Sequence, residues 1–253
     1  MRVLVATAVL VERDAVAAAF APSAALEYAI PGATLSRVAP VESGPLVFDL
    51  LAAGVGPAAA AAATAAAFTA AALNEQTDEQ TDDRTSGPYD LVVSAGIGGG
   101  FQPEAPVGSL VLADEITAAD LGAETADGFV PVTELGFGAV THRPPESLVR
   151  AVAAVTGART GAVLTVNTVT GSAERAAELR RRHPRALAEA MEGFGVAEAA
   201  TAHGVPVLEL RAVSNPVGPR DRAAWRIGDA LAALTGAFGK LAPALESWNP
   251  HDR

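Results

Sequence analysis

Ala190-Met191-Glu192-Gly193-Phe194-Gly195-Val196-Ala197-Glu198-Ala199-Ala200, followed about one strand later by Arg211-Ala212-Val213-Ser214-Asn215-Pro216, decides the fold class. The first stretch sets a carboxylate, Glu192, at the mouth of an Ala-rich helix. The second ends an apolar strand in a polar pair, Ser214-Asn215. Helix starts and strand ends along one sheet edge are where α/β folds assemble small-molecule sites.

Outward from this pair, apolar runs of four to eight residues alternate with Ala/Leu/Glu/Arg-rich helical patterns, which reads as α/β. Strands are predicted at 2–10, around 26–30 and 34–39, and at 46–53, 90–95, 107–115, 161–167 and 205–214. Helices are predicted at 12–20, 57–73, 145–156, 173–182, 184–203 and 221–246. Residues 74–88 are acidic and of low complexity, with Glu-Gln-Thr-Asp twice in succession. Such a stretch cannot bury enough apolar surface to offset its ordering entropy. It reads as a mobile loop rather than a domain linker, because the strand–helix alternation continues across it. A single domain over 1–253 is therefore expected, with a frayed tail after Trp248.

Half the residues are hydrophobic and only 5% aromatic, so Ala and Val fill a substantial core. The net charge is −11, and the longest basic cluster is Arg180-Arg181-Arg182-His183. A nucleic-acid binder needs a positive track against phosphates, and none is present. The Arg run lies in a helical pattern beside Glu174, Glu178 and Glu189, and reads as a solvated face with salt bridges. The absence of cysteine excludes disulfides, thiolate metal sites and a cysteine nucleophile, and fits a reducing compartment. His142, His183, His203 and His251 lack ligand spacing, so no metal is expected. Residues 2–11 look like the apolar part of a signal peptide, but Glu12, Arg13 and Asp14 follow at once, without a cleavage site. Residues 50–73 are nearly uncharged, yet Ala-rich and broken by Gly54, Gly56 and Pro57, which favours a strand end, a turn and a buried helix over a membrane span. A soluble, cytoplasmic protein without a membrane partner is expected.

Four further motifs lie at strand–helix junctions. Gly54-Val55-Gly56-Pro57-Ala58-Ala59 fits a loose G-x-G-x-x-A pattern, but no acidic strand end follows to grip a ribose, so it reads as a tight turn with close helix packing. Ser94-Ala95-Gly96-Ile97-Gly98-Gly99-Gly100-Phe101 closes an apolar strand and reads as a ligand-facing loop, its glycines letting backbone amides approach a ligand. Thr165 to Ser172 leads from a strand into a helix, with Ser172 as a candidate N-cap. Glu12, after the first strand, alone would read as a first-turn carboxylate favoured by the helix dipole.

Together, and in this order, these features resemble the nucleoside phosphorylase/nucleosidase superfamily over nearly the whole chain. The resemblance is strongest to its futalosine hydrolase branch, nucleosidases of menaquinone biosynthesis. That likeness rests on Ser94 to Phe101, Asp120-Leu121-Gly122-Ala123-Glu124, Met191 to Gly195 and Ser214-Asn215-Pro216-Val217-Gly218-Pro219-Arg220-Asp221. It implies a three-layer α/β/α fold around a twisted mixed sheet, no cofactor, and a homodimer or larger homo-oligomer acting on a small nucleoside. It further implies that Glu12 activates water and that Glu192 binds the ribose hydroxyls beside Met191. Ala95, Gly96, Thr168 and Val169 would line the substrate pocket. At Asn215 the chain departs from the adenine nucleosidases, which carry an Asp that serves N7 of the leaving base.

Cleavage of an N-ribosidic bond passes through an oxocarbenium-like sugar. Glu192 would favour that cation, and Glu12, as carboxylate, would take a proton from the attacking water. Asn215 is no general acid, but its amide NH₂ suits the O6 and N7 acceptors of a 6-oxopurine and mismatches the 6-amino donor of adenine. Asp221 and water are both candidates for protonating the leaving base. A phosphorylase needs cations around phosphate. Ala6 to Glu12 offers none, although Arg13 and Arg220 keep a purine nucleoside phosphorylase as an alternative. An adenosine-type nucleosidase and a non-catalytic nucleoside- or dinucleotide-binding module on Gly54-Val55-Gly56 are the others.

Overall fold

A computed structural model describes residues 1–20, 25–40, 46–77 and 88–248. The first strand, β1 (Arg2–Thr7), is followed by α1 (Leu10–Ala17), β2 (Leu26–Ile30), β3 (Ala33–Val38), β4 (Val47–Ala52) and α2 (Pro57–Thr77). Next come β5 (Leu91–Gly100), β6 (Leu110–Ala118), the hairpin β7 (Gly122–Thr125) and β8 (Gly128–Pro131), and β9 (Thr141–His142). The chain continues through α3 (Glu146–Thr156), β10 (Arg159–Thr165), α4 (Ala173–Arg182), β11 (Ala186–Ala190), α5 (Gly193–His203), β12 (Val207–Pro216) and α6 (Ile227–Ser247).

Ten of the strands form one mixed sheet in the order β11-β10-β6-β12-β5-β1-β4-β3-β2, with β9 beside β6. β11 also pairs antiparallel with β5, so half of the sheet curls back on itself. Side chains alternate across a strand, and the two faces collect two cores. Val3 and Val5 pack with Val16, Leu148, Val152, Leu234 and Phe238, under α1, α3 and α6. Leu4 and Ala6 pack with Ala60, Ala67, Val196 and Ala200, under α2 and α5. The result is the expected three-layer α/β/α arrangement.

Several sequence expectations need correction. The predicted helix 184–203 is a strand, β11, followed by α5. Its Ala-rich start favours helix, but pairing with β10 and with Gly99 and Gly100 of β5 overrides that local preference. The glycine segment 94–101 is not a loop: Ser94 to Gly100 continue β5, paired with β12. The predicted helix 221–246 begins only at Ile227, after a short 3₁₀ turn, Arg222–Ala224. The strand predicted at 107–115 runs from Leu110 to Ala118, and the short strands β7, β8 and β9 escaped prediction. Most of the acidic segment 74–88 and the tail after Trp248 lie outside the described residues. Ser172 does cap α4, accepting from Arg175 N–H at 3.2 Å. The basic run pairs largely as expected of a salt-bridged face, Arg182 with Glu178 and Arg180 with Glu104. Among the described residues no helix is long and apolar enough to cross a membrane, and no group of three acidic or histidine side chains could hold a metal.

Candidate active site

Glu209 and Arg211 lie two residues apart on β12, hence on one face, directed into the α2–α5 side of the sheet. Both are fully buried, while Leu208, Leu210 and Ala212 face the other core. A guanidinium carries donors in a fixed planar fork, and Arg211 uses three of its nitrogens. Nε donates to Glu209 Oε1 at 2.9 Å, Nη1 to Glu192 Oε2 at 3.3 Å, and Nη2 to Ser94 Oγ at 2.8 Å.

Glu192 sits between β11 and α5, as the mouth of the Ala-rich helix required, and is buried. Its Oε1 accepts the Gly56 N–H at 3.2 Å, and its Oε2 accepts the Met191 N–H at 3.3 Å besides Arg211. Gly56 has φ of +91°, a left-handed geometry that favours glycine, immediately before Pro57 starts α2. The tight turn read from the sequence thus also aims an amide at the carboxylate.

Glu12 occupies the first turn of α1, which begins two residues earlier than predicted. Oε2 accepts from Ala8 N–H at 3.0 Å and Val9 N–H at 3.3 Å, and Oε1 from Ile97 N–H at 2.9 Å. Burial pushes this carboxyl above the usual range. The Glu192 charge acts in the same direction, and the Ile97 amide and Arg211 oppose them. Gly96 makes the meeting possible: a Cβ there would stand 2.7 Å from Glu12 Oε1 and 2.8 Å from Arg211 Nη1.

Farther along the same strand pair, a Cβ on Gly99 would stand 3.4 Å from Asn215 Nδ2. Asn215 Nδ2 donates to the Pro216 carbonyl at 2.9 Å, and the Ser214 hydroxyl donates to Asn215 Oδ1 at 2.9 Å. A carbonyl only accepts, so this pair of bonds fixes which way the amide points and leaves one N–H unspent.

The structure therefore bonds Glu192 to Arg211 and sets Glu12 beside the same guanidinium at Gly96, with Asn215 and the glycines of β5 along the same strand pair. Met191 is half-buried beside Glu192. The Ala95 side chain packs into the core under α1, α3 and α6, so only its backbone is available at the edge. Thr168 and Val169 are exposed on a loop pinned at both ends. Asn167 N–H donates to Asp120 at 2.7 Å and Thr170 N–H to Glu189 at 2.8 Å. Asp221 is exposed and caps the 3₁₀ turn, accepting from Ala223 N–H at 3.1 Å. A surface groove of about 870 Å³ bounded by His142, Arg150, Thr201 and Pro206 lies at the opposite end of β12 from Asn215. Arg211, Glu209 and Ser94 were not among the expected site residues. The signal was present: two charges at alternate positions of an otherwise apolar strand are costly to bury unless they meet partners.

Residues 16–244 match the model of the family described as the Phosphorylase superfamily. Futalosine hydrolase of Streptomyces coelicolor is 73% identical over 253 residues, covering 100% of both chains. The native structure of futalosine hydrolase of Helicobacter pylori strain 26695 aligns with a TM-score of 0.76 at 17% identity, over 96% of this chain and 97% of that one. A 5'-methylthioadenosine/S-adenosylhomocysteine nucleosidase from Colwellia psychrerythraea 34H, in complex with adenine, aligns with a TM-score of 0.71 at 22% identity, over 97% and 94%. At such identities the two structures speak for the fold alone. On the family model and the full-length relative, the chain belongs to the phosphorylase superfamily and, within it, to the futalosine hydrolase family.

Proposed function

We propose that the chain acts as a single nucleosidase domain that hydrolyses the N-ribosidic bond of futalosine, giving hypoxanthine and dehypoxanthinyl futalosine. The observation that carries this reading is the buried pair Glu12 and Glu192, Glu192 bonded to Arg211 and Glu12 beside the same guanidinium at Gly96, with the oriented amide of Asn215 farther along the same strand pair. Glu192 accepts from the 2′- and 3′-hydroxyls, and its charge favours the cationic sugar. Glu12 takes a proton from water as the oxygen bonds to C1′ and the C1′–N bond breaks. Asn215 donates to the departing 6-oxopurine. An amide has no proton to release, and Asp221 is exposed and engaged in capping, so solvent neutralises the base.

Hydrolysis is favoured over phosphorolysis by the start of α1. The Ala8 and Val9 amides at this helix start, which an anion would seek, are already filled by the Glu12 carboxylate. Arg13 pairs with Asp14 at 2.8 Å, and the Arg220 guanidinium stacks over Trp225. The same reading makes the reaction a step of menaquinone biosynthesis, carried out in the cytoplasm by a homo-oligomer. The test is incubation with futalosine, inosine and adenosine, with and without phosphate, followed by chromatography. Phosphate-independent hypoxanthine release, strongest from futalosine, is expected. Strict dependence on phosphate, or inactivity with retained NAD, overturns the reading.

A further inference from the structure

We propose that Glu209 is a positioning residue for this reaction: it holds the Arg211 guanidinium in place and takes up its charge, so that Glu12 and Glu192 meet the sugar as full carboxylates. The inference rests on the roles assigned above to Glu12 and Glu192.

Glu209 has no exposed surface, and its Oε2 has no hydrogen-bond partner. Burial pushes the Glu209 carboxyl up, the nearby Glu192 charge adds to this, and the Arg211 guanidinium opposes both, so only its contact with Arg211 favours the ionised form. A buried carboxylate with half of its acceptor capacity unused is costly, and an apolar side chain of similar volume often packs as stably or more so. Stability does not account for it. The surroundings are nevertheless shaped to it. A Cβ on Gly193, the residue after Glu192, would stand 2.1 Å from Glu209 Oε2 and 2.3 Å from Oε1. The parallel register sets Glu209 opposite Ser94 and Arg211 opposite Gly96, so the hydroxyl and the two charges share one small space.

The groups facing Arg211 are Glu209 from its own strand, Glu192 from the mouth of α5, Glu12 from α1 and the Ser94 hydroxyl from β5. Three carboxylates thus surround one cation. Without Glu209, the whole guanidinium charge would fall on the two carboxylates whose negative charge the oxocarbenium sugar needs. Nε would also lose its acceptor, and the fork would be free to pivot away from Glu192.

Glu209→Gln keeps an acceptor for Nε but removes the charge; Glu209→Leu removes both. Hydrolysis of a 6-oxopurine nucleoside across pH, together with crystal structures of both variants, tests the proposal. Expected for Glu209→Leu is a kcat loss of tenfold or more at nearly unchanged KM, with the guanidinium turned from Glu192. Glu209→Gln regains part of the rate. In Glu209→Gln, where the fork stays seated, the acid limb of kcat/KM moves to lower pH, because Arg211 then acts more fully on Glu12. Wild-type kcat in a folded leucine variant overturns the proposal, as does an unmoved guanidinium. Should the leucine variant not fold, an unshifted acid limb in Glu209→Gln overturns it. If the wild type releases no base from any nucleoside, the functional reading fails, and the position of the guanidinium still decides the role of Glu209.

Discussion

The Asn215 amide, proposed to meet the purine, has its orientation already set, because the Pro216 carbonyl accepts from Nδ2 and the Ser214 hydroxyl serves Oδ1. The unspent N–H suits the acceptor edge of a 6-oxopurine, whereas adenine presents an amino donor beside N7. Ser214→Ala removes one of the two bonds that resist a flip, each worth about 1 kcal/mol. The ratio of kcat/KM for inosine-type over adenosine-type substrates is therefore expected to fall by about five- to tenfold, and further in Asn215→Asp. An unchanged ratio in both would separate base choice from this amide. At Glu12 the prediction concerns pH. In its proposed role as general base Glu12 works only when ionised, and burial raises its carboxyl above the usual range. Activity should therefore fall, with decreasing pH, earlier than an ordinary glutamate near 4.3 would dictate. Glu12→Gln should cost about 10² to 10⁴ in kcat and abolish that acid limb, read from pH–rate profiles of the two enzymes.

At the scale of elements, the helix and strand order was largely legible because burial on both sheet faces imposes short apolar strands between Ala-rich helices. Glu12, Glu192 and Asn215 were legible because each ends or begins such an element. What stayed hidden depends on contacts between segments distant in sequence. Ala186 to Ala190 have helical composition and become β11 only because β10 and β5 lie on either side. Gly96 and Gly98 to Gly100 have loop composition but sit in β5, where Glu12, Arg211, Glu189 and Ala105 occupy the space of their missing side chains. Arg211 was readable as a buried charge, but besides Glu209 on its own strand its bonded partners come from β5 and the mouth of α5. The same logic governs α5, whose Gly195 lies against α2: a Cβ there would stand 2.0 Å from the Pro57 carbonyl oxygen. Since Gly56, next to Pro57, donates to Glu192, separating these helices loosens the carboxylate as well. Gly195→Ala should lower stability by about 1–3 kcal/mol, as overpacking does, and reduce kcat together with it. Chemical denaturation and turnover measured on one preparation would show the coupling; full activity in a destabilised variant would break it.

Across the whole molecule, the sheet carries buried charge at both ends of β1. The carboxylate–arginine cluster lies midway along β5 and β12, beyond the C-terminal end of β1, and a second network lies at the start of β1. There Asp49, with no exposed side-chain surface, accepts from Arg2 Nη2 at 2.7 Å, Arg37 Nε at 2.7 Å and the Tyr89 hydroxyl at 2.8 Å. These groups tie β1, β4, β3 and the entry to β5 into one unit, so this end holds the sheet while the other carries the proposed chemistry. Burial alone would raise the Asp49 carboxyl, but Arg37 and Arg2 outweigh it and hold the carboxyl below the usual range. A carboxyl depressed by folding contributes stability that is complete above its unfolded value, about 3.9. That contribution is lost as pH falls through the lower folded value. Asp49→Asn leaves the buried Arg2 and the half-buried Arg37 guanidinium groups facing a neutral amide, and breaking a buried pair in this way costs about 3–5 kcal/mol. The stability gap between wild type and variant should therefore be full at pH 7, nearly unchanged at pH 5, and shrink below about pH 4. Urea denaturation at those pH values checks the sign: a gap that widens on acidification, or is missing at pH 7, would mean that Asp49 does not anchor this end of the sheet as an ion.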